Sequence, residues 1–146
     1  MRQYRIYLAV ALAFAGVTAG VMSLIGTDRY YPLAQVYLPD QSTLTFIDRP
    51  WTEAKRCRET TQKMAAGARA NCPQCRIEDS CPTRLDALWL QALSGQMIDR
   101  YVVQSGSLRI VIGAGGTSEA ICMAMAEQIS RDKKLAARCV PPQRGT

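Results

Sequence analysis

IYLAVALAFAGVTAGVMSLI, Ile6 to Ile25, is an apolar run near the amino terminus with no charged residue inside it. About twenty residues at helical rise cross a hydrocarbon core of roughly 30 Å. The run therefore predicts a transmembrane helix over residues 6–26, with membrane lipid as its partner. Arg2 and Arg5 precede it, and Arg29 follows beside Asp28. That bias holds the amino terminus in the cytoplasm and places the rest outside. The expected layout is a cytoplasmic tail over 1–5, the span over 6–26, a linker over 27–34, an exported domain over 35–140 and a tail over 141–146. Cleavage as a signal peptide is the alternative, because Ala13-Phe14-Ala15 and Val17-Thr18-Ala19 offer small-residue sites. The apolar run continues past both through Val21, Met22, Leu24 and Ile25, which favours an uncleaved anchor.

Outside the run, the chain suits one domain with a modest core. The formal net charge is +6, from 18 Lys and Arg against 12 Asp and Glu. The basic residues are scattered rather than gathered with aromatics into a stripe, so nucleic acid is not an expected partner. Histidine is absent, which removes the commonest general base and the commonest metal ligand. Arginine outnumbers lysine and alanine is abundant, the usage of a GC-rich bacterial coding sequence. "Outside" then reads as the periplasm, with the anchor in the inner membrane.

Beyond the span, Tyr30 and Tyr31 suit the headgroup zone. Gln35–Leu38 and Thr43–Ile47 alternate apolar and polar residues as half-buried strands do, and Pro39-Asp40-Gln41 between them is turn chemistry. Trp51–Arg69 predicts an amphipathic helix, with Ala54, Cys57, Thr61, Met64, Ala65 and Ala68 on its apolar stripe. The polar stretch Cys72–Cys81 reads as a loop held by its sulfurs. A second helix opens at Pro82-Thr83-Arg84; Leu85, Leu88, Trp89, Ala92 and Leu93 form its buried stripe and Gly95 terminates it. Met97–Val103 and Ser107–Ile112 predict a second hairpin turning at Ser105-Gly106. Thr117 to Ala137 predicts a last helix with Glu119 in its first turn. The expected fold is α+β, in the order ββα, cysteine loop, αββα, with four antiparallel strands and three helices on one face.

Six cysteines, Cys57, Cys72, Cys75, Cys81, Cys122 and Cys139, form the strongest constellation. An even count in a small exported domain predicts disulfides, with connectivity left open. Geometry trims the pairings. Cys57 lies roughly 18 Å before the end of the first helix, which disfavours Cys57 with Cys72. A continuous last helix would hold Cys122 and Cys139 about 25 Å apart, against the roughly 6 Å a bridge spans. Those two pair only if the helix breaks around Arg131–Lys134; otherwise each staples the last helix to the cysteine loop or the first helix.

Two other readings of these sulfurs exist. Cys72-Pro73-Gln74-Cys75 has the CxxC spacing of redox sites, but such sites open a helix after a strand, whereas this one follows a helix. Zinc held by Cys57, Cys72, Cys75 and Cys81 has acceptable ligand types, and an oxidising compartment favours bridges instead. Gly113-Ala114-Gly115-Gly116 joins a strand to a helix start and could cradle an anion. Ser118 breaks the dinucleotide fingerprint and Glu119 would repel an anion there. No cofactor or metal is expected. Without a nucleophile and base, or paired carboxylates, the expected function is a non-enzymatic, membrane-anchored interaction module or accessory subunit of an envelope assembly, secretion or polysaccharide-export complex, with another envelope protein as partner. The alternatives are a tethered thiol-disulfide oxidoreductase using Cys72 and Cys75, and a small-ligand binder at Gly113, Gly115 and Gly116.

Overall fold

The computed structural model describes residues 28–113 and 115–143. The expected span over 6–26 lies outside them, as do Ala114 and the last three residues. Among the described residues no helix is long and apolar enough to cross a membrane. The elements are β1 (Leu33–Tyr37), β2 (Thr43–Ile47), α1 (Ala54–Asn71), β3 (Arg76–Ser80), α2 (Ala87–Leu93), β4 (Val102–Ser105), β5 (Leu108–Ile112), α3 (Ser118–Lys133) and β6 (Ala137–Val140). The strands form one antiparallel sheet in the order β3-β1-β2-β5-β4-β6.

Both hairpins turn where the residues dictate. In the first, the Gln41 amide donates to the Leu38 carbonyl at 3.0 Å, and Asp40 accepts from the Ser42 hydroxyl at 2.5 Å and the Ser42 amide at 3.0 Å. Those two bonds, the hydroxyl's first, hold the Asp40 carboxyl below its ordinary value of 3.8. Since the folded pKa is lowered, this contribution is complete above that ordinary value and is lost as pH falls through the lowered one. Gln41 closes the turn in the left-handed region at φ 69°. In the second hairpin Ser105 pairs with Leu108, leaving a two-residue loop in which Gly106, at φ 57°, supplies the positive angle a type II′ turn needs first.

The sheet is buried on both sides. Val36, Leu44, Val103, Ile110 and Ile112 pack under Cys122 and Ala126 of α3 and Ala68 of α1. Ile47, Val102 and Val111, on the opposite face, pack with Ala92, Leu88 and Trp89 of α2 and with Ile98. The expectation of helices on one face is therefore corrected. Val102-Val103 and Ile110-Val111-Ile112 are unbroken apolar runs, which strands show when both faces are covered. The helix expected from Pro82-Thr83-Arg84 begins only at Ala87, and of its expected buried stripe Ala92 alone is fully buried, with Leu85, Leu88, Trp89 and Leu93 half-buried against the sheet. Gly95 ends it at φ 80°, with Gln96 N–H on Gln91 O and Gly95 N–H on Ala92 O closing the carboxyl-terminal turn.

Two strands beyond the expected four complete the sheet. β3 occupies part of the stretch expected to be loop. Its Arg76-Ile77-Glu78-Asp79-Ser80 sequence is polar because it is an edge strand, with only Ile77 not exposed. β6 begins at Ala137, the last residue of the expected helix, which stops instead at Lys133 because Lys134 turns left-handed at φ 50°. The apolar Leu135-Ala136-Ala137 carries the helical pattern past that break and hides it. Met97–Tyr101, expected within a strand, precedes β4.

With those two strands in place, the order resolves into one unit used twice. β1-β2-α1-β3 and β4-β5-α3-β6 are each a hairpin, a helix, and a strand returning beside the hairpin's first strand. The halves meet at β2 and β5, where Leu44 faces Ile112, Thr45 faces Val111 and Phe46 faces Ile110. Rotation by half a turn about an axis through the Thr45–Val111 pair exchanges the two units. α1 and α3 then correspond, with Cys57 and Thr61 buried in one and Cys122 and Ala126 in the other. α2 has no counterpart; it lies on the connection between the halves.

Two substitutions test this packing. Ile110 is 1% exposed, so Ile110→Ala should cost about 3 kcal/mol in denaturant unfolding. Gln41→Gly, which removes a side chain from a left-handed position, should raise stability by about 0.5–1 kcal/mol.

Candidate functional site

The six sulfurs form three bridges. Cys57 of α1 joins Cys81, just past β3, with alpha carbons 6.0 Å apart. Cys122 of α3 joins Cys139 of β6 at 5.5 Å, and Cys72 joins Cys75 at 5.4 Å. The first two occupy corresponding places in the two halves, each tying a helix to the strand that follows it. The condition on Cys122 and Cys139 is met: α3 runs on about 16 Å beyond Cys122, breaks at Lys134, and β6 returns antiparallel beneath it. Stapling of the last helix to the cysteine loop or to the first helix does not occur. The four cysteines weighed as zinc ligands are all engaged in bridges.

Cys72 and Cys75 close the carboxyl-terminal end of α1. The Cys72 amide donates to Ala68 O at 2.9 Å and the Cys75 amide to Cys72 O at 3.1 Å. That end carries the negative pole of the helix dipole, the opposite of what lowers the first thiol's pKa in redox CxxC sites. Arg76, the nearest cation in sequence, stacks 4.1 Å from the Tyr37 ring centroid and pairs with Glu78 at 3.0 Å.

The glycine turn is organised by its carbonyl groups. Gly113 donates its amide to Thr43 O at 2.8 Å, and a side chain there would overlap the Thr43 hydroxyl. The buried Ser118 hydroxyl lies 2.8 Å from the carbonyl oxygens of both Gly113 and Gly115, which share its single proton. Gly115 and Gly116 are exposed. The turn thus joins β5 to α3 through internal contacts.

Three surface features emerge that the sequence marked only through Tyr30. Tyr30 and Trp51 exchange backbone hydrogen bonds at 2.8 and 2.9 Å, and the guanidinium groups of Arg49 and Arg56 each lie 5.7 Å from the Trp51 ring centroid. A groove of about 270 Å³ runs beside the Cys57–Cys81 bridge, lined by Tyr30, Arg58, Gln62 and Asp79 among others. On the α2 face, one step along the strands from Val102, Val111 and Val140, the residues become Gln104, Arg109 and Arg138. Gln104 is in register with both arginines. Arg109 was legible as the one charged residue within an apolar strand. Gln104 and Arg138 come beside it only through β4 and β6.

No family model matches the chain, and neither a curated protein nor a solved structure is detectably similar to it. The fold itself defines the class: an α+β domain of two ββαβ units, each closed by a disulfide.

The bridges close loops with sequence separations of 24, 17 and 3 residues. The chain-entropy relation assigns them about 3.5, about 3 and about 2 kcal/mol respectively. Paired alanine replacement at Cys57 and Cys81 should therefore destabilise the domain more than replacement at Cys72 and Cys75, as read by thermal unfolding. Peptide mapping without reduction should recover the same three pairs.

Proposed function

We propose that the chain is a membrane-anchored, extracytoplasmic and non-enzymatic interaction module, serving as an accessory subunit of an envelope assembly, secretion or polysaccharide-export complex. Its amino terminus lies in the bacterial cytoplasm and its disulfide-bridged domain in the periplasm. The observation that carries this reading is the consumption of all six cysteines in bridges. Such pairing belongs to an oxidising compartment, and the charge-free run over 6–26 supplies the route there. The place where the chain enters the domain supports the anchor. Tyr30 stands a few residues beyond the expected span, and its bridge to Trp51, flanked by Arg49 and Arg56, brings those side chains beside it, in the combination of aromatic and cationic side chains that favours a headgroup zone. The position of Cys72 and Cys75 at a helix carboxyl-terminal end, away from any activating dipole, supports a structural bridge over a catalytic one.

Crosslinking of the full chain in intact membranes tests the reading. A discrete adduct with another envelope protein is expected, together with retention of the chain in the membrane pellet after alkaline extraction. Recovery as an unlinked monomer in the soluble fraction would overturn it.

A further inference from the structure

We propose that Arg109 and Arg138, with Gln104 between them, form a binding site for the phosphate group. The register sets the geometry. β5, β4 and β6 are neighbours, and Gln104 faces Arg109 on one side and Arg138 on the other. At about 4.8 Å per strand the two arginines are roughly 10 Å apart at their alpha carbons, a span that two guanidinium groups close around a tetrahedral oxyanion. The Gln104 side-chain carbonyl holds Arg138 in place, accepting from its Nε at 3.1 Å and from a terminal nitrogen at 2.8 Å. Arg109 is held by backbone carbonyls, donating to Gly106 O at 2.7 Å and Leu108 O at 3.0 Å.

This fixing leaves donors over. The Arg109 Nε is buried and has no acceptor among the described residues, a costly state for a cationic donor. Neither arginine takes part in the ion pairs found among the described residues, which are Arg56–Glu53, Arg76–Glu78, Arg100–Asp99 and Arg131–Glu127. The field is unbalanced as well. Burial first, and then repulsion from Arg138, disfavour the charge on Arg109, and Asp48 opposes them only in part. An anion between the two guanidinium groups would cancel the repulsion. Phosphate suits the place because planar guanidinium forks match its oxygens. Arg138 is exposed and Arg109 half-buried, so one side of the site is open for entry. The site stands independently of the membrane anchor.

The test is titration of the full chain, isotope-labelled in detergent micelles, with inorganic phosphate at constant ionic strength, following the arginine Nε–H resonances. A saturable shift of the Arg109 signal is expected. Arg138→Gln should weaken binding about tenfold, the loss of one charge-assisted contact. Arg131→Gln, which removes another exposed charge, on α3, should leave binding unchanged. A parallel titration with glycerol phosphate separates sources: equal binding identifies a phosphate ester as ligand, binding of inorganic phosphate alone identifies the free ion. A linear, unsaturated shift, or a saturable one that Arg138→Gln leaves untouched, would overturn the proposal.

Discussion

The pairing of β2 with β5 is the constraint on which the domain depends. It is the sheet contact that joins the two ββαβ units, and it is made by residues far apart in sequence: Leu44 with Ile112, Thr45 with Val111, Phe46 with Ile110. Each unit alone is a three-stranded sheet with one helix, too small to shield both faces of its strands. Joined, they place Leu44, Ile110 and Ile112 in one continuous core under α1 and α3, while Ile47, Val102 and Val111 form a second core under α2. Long-range pairing of this kind must repay its loop-closure entropy through burial, and the seam strands carry some of the most deeply buried side chains in the domain, Ile47, Ile110 and Ile112.

The disulfides follow the same division. One bridge in each half ties the helix to its returning strand, so the outer strands β3 and β6 are held by sulfur as well as by hydrogen bonds. That suits their composition. Arg76-Ile77-Glu78-Asp79-Ser80 and Ala137-Arg138-Cys139-Val140 bury little apolar surface of their own, and charged edges resist unwanted pairing. Cys57 and Cys122, both fully buried, act as core side chains and covalent ties at once. The third bridge shapes only the turn between α1 and β3.

Much of the fold was legible where one residue type has one physical consequence. The period-two run Thr43–Ile47 marked β2, Gly106 marked the second hairpin, Gly95 the end of α2, and the stripe from Leu88 to Leu93 the side it packs on the sheet. The failures share a cause: tertiary context overrode local pattern. β3 is polar because it is an edge, the break before β6 is hidden because Leu135, Ala136 and Ala137 extend the helical stripe, and the apolar runs Val102-Val103 and Ile110–Ile112 mark a second buried face without showing that α2 covers it. The repeat escaped notice because, apart from the bridged cysteines, the two halves share burial positions rather than residues; Thr61 in one corresponds to Ala126 in the other. The cysteines were legible as staples, yet their partners depended on a helix break at Lys134 that no glycine or proline announces. The arginine row was beyond reach of the sequence, since it exists only when β4, β5 and β6 lie side by side.

Native-state hydrogen exchange across the seam tests the two-unit account most directly. If β2 and β5 close a single cooperative sheet, the amides of Leu44–Ile47 and Arg109–Ile112 that bond across it should exchange only through global unfolding, with one opening free energy shared by β1 and β4. Exchange at the seam well before the strands on either side of it, with the two halves opening at separate free energies, would contradict it.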